Sequence, residues 1–113
     1  MTSTNNYRLC LTTVDSESTA RQIAENLLKQ KLVACVNISA KQLSLYYWQG
    51  KICEEAEYLL MMKTGSQTVT RLEDSLMKIH PYDVPEFIVL DIIDGSNEYF
   101  KWIDSSLEIA EEK

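Results

Sequence analysis

The one histidine and both prolines of this 113-residue chain fall within six positions, His80-Pro81-Tyr82-Asp83-Val84-Pro85, and Glu86 follows directly. Imidazole and carboxylate are side chains that coordinate divalent cations and exchange protons. Two fixed φ angles stiffen the segment that carries them, so little freedom remains to be lost when a ligand is held. Two ligands make only half of a metal site. The residues leave two readings of His80 open. It is either a ligand or the end of a helix whose last carbonyls it caps, because Pro81 disfavours the helical conformation before it. Lys63 and Thr64, at the end of a long strand, are placed to close a small polar pocket with Tyr82 and Glu86.

Other chemistries are poorly supplied. Three glycines cannot build a glycine-rich phosphate cradle, and neither G-x-S-x-G nor H-E-x-x-H is present. Cys10, Cys35 and Cys53 are widely spaced, odd in number and without a C-x-x-C pair, which argues against a disulfide framework and a structural zinc site. Glu54, Glu55 and Glu57 read as the solvated edge of an exposed hairpin arm. With 17 acidic and 11 basic residues the net charge is −6, and no basic footprint for nucleic acid is evident. No stretch approaches the roughly 18 apolar residues of a membrane span. Residues 1–6 are polar and lack the pattern of a signal peptide. The expectation is a disordered arm over 1–6, no membrane partner and a cytoplasmic protein.

The elements that must position these residues follow from periodicity. Residues 7–13 alternate, with Tyr7, Leu9 and Leu11 on one face and Arg8, Cys10 and Thr12 on the other, as in a half-buried strand. Asp15 or Ser16 then caps a helix over 16–30, whose Ala20, Ile23, Ala24, Leu27 and Leu28 share one stripe. Strands are expected at 32–38 and 43–48, with Gln49-Gly50 as a tight turn into a third at 52–64. Gly65-Ser66 opens a second helix with Val69, Leu72, Leu76 and Ile79 on its stripe. Phe87 to Ile93 reads as a strand covered on both faces. Tyr99, Phe100, Ile103 and Leu107 mark a third helix, and 108–113 forms an acidic tail. This order predicts one α+β domain over 7–107. It is a ferredoxin-like split βαβ sandwich with an antiparallel sheet, a long hairpin between its second and third strands, and an extra C-terminal helix.

The strand at 52–64 is too long for a small monomer. Its 13 residues would reach about 43 Å at roughly 3.3 Å per residue, against the usual 5–6 residues. Part of the hairpin is expected to project and carry Leu43, Leu45, Tyr46, Tyr47 and Trp48 into water, the alternative being a bulged strand folded back on its own sheet. Exposed edges and aromatics on this scale predict a partner chain.

Four blocks in order resemble the CutA family of divalent-cation tolerance proteins. They are Lys31-Leu32-Val33-Ala34-Cys35-Val36-Asn37, Ser44 through Ile52, Leu60-Met61-Met62-Lys63-Thr64, and His80 through Glu86. The resemblance implies a homotrimer joined by strand pairing of the long hairpins, with no catalytic reaction and no organic cofactor. It implies a cytoplasmic protein in the response to metal ions, copper above all, that binds a cation or small ligand at a subunit cleft. Lys63, Thr64, Tyr82 and Glu86 would bind the ligand, with Tyr47 and Trp48 as a wall. His80 and Glu86 would hold a divalent cation, copper or zinc, weakly, because the other proposed copper ligands of the family fall here at Thr12 and Ile79. The alternative is a PII-like signalling or scaffold trimer that binds a partner protein.

Overall fold

Thr2–Ser3 and residues 6–107 are described by the computed structural model of the chain. The acidic tail over 108–113 and residues 1, 4 and 5 of the predicted arm lie outside them. Chain order gives β1 (Thr2–Ser3), β2 (Tyr7–Val14), α1 (Glu17–Lys29), β3 (Cys35–Ile38), β4 (Gln42–Trp48) and β5 (Lys51–Gly65). A short 3₁₀ turn, Ser66–Thr68, then leads into α2 (Val69–Ile79), β6 (Ile88–Asp91), β7 (Asp94–Gly95) and α3 (Asn97–Leu107). Within the predicted arm, β1 pairs antiparallel with β7, a contact that backbone groups alone can make.

The helices start and stop for local reasons. Ser16 caps α1, its hydroxyl accepting from the Thr19 N–H at 3.1 Å. Lys31 takes a positive φ of 61° where the chain leaves α1. The Leu32 N–H bonds back to the Leu27 carbonyl, and the Lys31 N–H to that of Leu28, the pattern of a Schellman stop. Helix α2 ends at His80, where ψ swings to 134°, as the following proline requires.

The central strand of the fold is β5. Its second half, Tyr58–Gly65, pairs antiparallel along β2, and Leu60–Lys63 also pairs with β3. The sheet order is β3-β5-β2-β6, with β4 on the first half of β5. This is the predicted ferredoxin-like topology. Register sorts the sheet into two faces. Cys10, Val14, Leu60 and Met62 point to α1 and α2 and are buried with Ile23, Leu27, Leu72 and Leu76 in one core. A second cluster joins Tyr7 and Ala34 to Phe100, Ile103 and Leu107 of α3. There the Tyr7 and Phe100 rings stack at 4.2 Å, and the Tyr7 hydroxyl donates to Asp104 at 2.9 Å.

The opposite sheet face has little cover. Leu9 sits across from Leu90 and Lys63, and Leu11 across from Ile88 and Met61. Ile88 and Leu90 are exposed by 45% and 43%. The expectation of a strand covered on both faces therefore fails within the single chain. β6 is an edge strand of four residues, and all four are exposed.

The hairpin projects as its length requires. β2 ends at Val14, opposite Tyr58, so among the described strands only β4 accompanies Lys51–Glu57. Gln49 and Gly50 join the two arms with φ of 51° and 78°, both positive, as a type I′ turn demands. Leu43, Leu45, Tyr47, Trp48 and Ile52 are each at least 59% exposed, and the molecule measures 51 × 27 × 22 Å.

Candidate functional site

His80 is buried, and its surroundings fix its protonation. Its Nε2 lies 2.9 Å from the Thr13 carbonyl oxygen, which can only accept, so Nε2 carries the hydrogen. Its Nδ1 lies 3.1 Å from the Tyr82 backbone nitrogen, which can only donate, so Nδ1 offers its lone pair. Both ring nitrogens are thus engaged in a single neutral tautomer. Burial lowers the pKa below its ordinary 6.5, partly offset by the Thr13 carbonyl and the nearby Glu57 and Asp15 carboxylates. The imidazole does not cap the helix carbonyls, as one sequence reading had it. The His80 backbone N–H closes the helix on Leu76, while the side chain crosses to β2.

Tyr82 is set by this arrangement. Its backbone is held by Nδ1 of His80, and its ring meets the imidazole edge-on at 4.8 Å. The hydroxyl donates to Glu57 Oε2 at 3.0 Å. Burial first, and then the bond to Glu57, raise the Tyr82 phenol well above its usual range. Glu57 is only 8% exposed. It is therefore not part of the solvated hairpin edge that the sequence suggested, since Tyr82 arrives from the corner to cover it.

Between the hairpin and the corner lies a cavity of about 800 Å³. Gln42 faces Glu57 and Ser44 faces Glu55 across the hairpin, which brings both carboxylates to the face that carries Tyr46 and Trp48. Tyr46, Trp48, Glu55 and Glu57 line the cavity from the hairpin, Tyr82, Val84 and Glu86 from the corner, and Thr13 from β2. Desolvation first, and then the nearby Glu55 carboxylate, raise the Tyr46 phenol above its usual value.

Of the expected site residues, the structure gathers Trp48, Tyr82 and Glu86 in this cavity. Tyr47 projects from the other hairpin face and is 75% exposed. Lys63 Nζ donates to the Tyr99 hydroxyl at 3.2 Å and lies 5.4 Å from the centre of that ring. The buried Thr64 hydroxyl donates to the Leu32 carbonyl at 2.7 Å. His80 stands behind the cavity wall rather than in it. Glu55, Glu57 and Tyr46 were not anticipated as lining. Strand alternation, which places Glu55 and Glu57 on one face, was the available signal for them. Among the described residues no three His, Cys, Asp or Glu side chains converge as a metal site would require. No described helix is long and apolar enough to cross a membrane.

Relatives place this geometry in a family. The sequence pattern of the CutA1 divalent ion tolerance proteins matches residues 8–106. A divalent-cation tolerance protein CutA of Thermus thermophilus is 43% identical over 93 residues, covering 82% of this chain and 90% of that protein. A CutA homolog of Danio rerio is 42% identical over 97 residues; the match takes in 86% of this chain but spans only 65% of the relative's length. The solved structure of CutA from Synechococcus elongatus superposes with a TM-score of 0.91 at 40% identity, covering 94% of each chain. Family pattern, relatives and fold agree over nearly the whole described chain, from β2 to α3, and on that ground the chain belongs to the CutA1 divalent ion tolerance protein family.

Proposed function

We propose that the chain works as a non-enzymatic homotrimer in the cellular response to divalent ions, copper among them. It seats a cation or small ligand in the cleft between the hairpin and the His80–Glu86 corner. The single observation that carries this reading is the surface the subunit leaves uncovered. An apolar sheet face built on Leu9, Leu11, Met61, Ile88 and Leu90 continues past a hairpin whose Lys51–Glu57 has, among the described strands, β4 alone beside it. Unpaired backbone and apolar rows of this extent call for strands and side chains from other copies.

The cleft supports the second half of the reading. It gathers Trp48, Tyr82 and Glu86 with Glu55 and Glu57, an acidic and aromatic lining that suits a positive ligand. His80 supports the site by fixing Tyr82. The three cysteines are unpaired, in keeping with a reducing cytoplasm. A copper(II) titration of the purified protein, followed by calorimetry, tests the cation half. Weak saturable binding that is lost in Glu86→Gln is expected. Equal binding by wild type and variant removes Glu86 from the site.

A further inference from the structure

Glu57 presents a charge problem that the subunit does not solve. It is more than nine-tenths buried, and its one hydrogen bond among the described residues comes from the Tyr82 hydroxyl, a neutral donor. The ion pairs of the described residues join Arg8 to Asp91, Arg21 to Glu17 and Lys101 to Glu98, and none reaches Glu57. Buried carboxylates are ordinarily matched by a positive charge, because the lost hydration must be recovered. The cavity in front of it makes the imbalance larger. Glu55 and Glu86 line the same space, and among the described residues no lysine, arginine or histidine does.

The walls decide what kind of cation fits. Tyr46, Trp48 and Tyr82 present aromatic surface, which attracts ammonium and guanidinium groups and packs against methylenes. A volume of about 800 Å³ is far larger than a bare ion needs. A transition metal would also want imidazole or thiolate. Here both nitrogens of His80 are taken, and among the described residues no cysteine lines the cavity.

We propose that this cavity is a binding site for a small organic cation, an alkyl diammonium or its guanidinium counterpart. One charged end pairs with Glu57, the other with Glu55 or Glu86, and the methylene chain lies along Trp48. Tyr82 holds the Glu57 carboxylate in place from behind. This inference rests on the reading that the cleft between hairpin and corner is the ligand site, and it replaces the unspecified cation with a chemical class.

The test is a fluorescence titration of the full-length protein with diaminobutane at constant ionic strength. Trp102→Phe serves as background, so that Trp48 alone reports. The site predicts a saturable response at one diamine per chain, tighter than for copper(II), and none with the neutral analogue butanediol. Glu57→Gln should weaken the diamine at least about tenfold, as loss of a desolvated charge pair does. Should that variant fold poorly, Glu86→Gln, at the cavity mouth, should weaken it several-fold. A response that does not saturate, or that is the same in folded variants, overturns the proposal. Native mass spectrometry of the same samples separates the two readings. A trimer that ignores the diamine overturns the ligand class alone. Diamine binding by a chain that stays monomeric supports this site and counts against the assembly.

Discussion

His80 governs the corner without touching the cavity. Its neutral tautomer joins β2 to the first residues after α2 through the Thr13 carbonyl and the Tyr82 N–H. Protonation would place a second N–H against the Tyr82 N–H, which donates to the same nitrogen. The folded pKa lies below 6.5, so as pH falls the unfolded chain takes the proton first. The stability tied to this imidazole is complete above about pH 6.5 and is lost as pH falls through the window below it. Urea unfolding at several pH values should show this decline in the wild type. His80→Gln should unfold about 1–3 kcal/mol more easily at neutral pH, from two lost buried hydrogen bonds, with a flatter dependence on acid. An undiminished acid dependence in the variant would assign it to other groups. The importance of this segment was legible in the sequence, because one histidine and two prolines in six positions are conspicuous. The burial of Glu57 was not. Alternation tells which face a residue occupies but not its depth, and the depth is set by a tyrosine 25 positions further on. Lys63 misled for a similar reason, since its partner Tyr99 is 36 positions away.

At the scale of elements, the sequence specified both helices of the split βαβ unit well. Their apolar stripes and stop signals are local, and the observed α1 and α2 differ from expectation only at their ends. Ser66–Thr68 takes a 3₁₀ turn before α2 begins. The strands were legible as apolar runs, but their cover was not. Phe87 to Ile93 reads as doubly buried, yet the paired part is Ile88–Asp91, and it is exposed in the subunit. A hydrophobic run reports that cover is needed without saying which chain supplies it. The hairpin turn was legible through Gly50, and the strain it carries lies at Gln49, a non-glycine residue at φ 51°. Asn tolerates that conformation better and is the preferred first residue of such turns. Gln49→Asn should therefore raise unfolding stability by a few tenths to about 1 kcal/mol. Denaturant midpoints of the two proteins measure this, and a lower midpoint for the variant would show that the glutamine side chain contributes more than its strain costs.

For the whole molecule, α1 and α2 close the core on one side of the sheet, while α3 covers the other side only at its Tyr7 end. Cys10 shows how completely α1 and α2 do so: it is fully buried, and burial, eased by Arg8, pushes its thiol up to about 11. On the other side, β2, β5 and β6 offer rows of leucine, isoleucine and methionine that the subunit leaves half-exposed, and the hairpin extends this surface outward. The projection was implied by one sequence observation, a strand too long for the domain that bears it, whereas the uncovered face was not; together they are the ground for the proposed assembly. Native mass spectrometry of the purified wild type beside Leu90→Lys, which puts a charge on the uncovered face, tests this most directly. A homotrimer gives three chain masses in one wild-type complex, and a still-folded Leu90→Lys loses that complex. A wild-type spectrum showing only the single chain would contradict it.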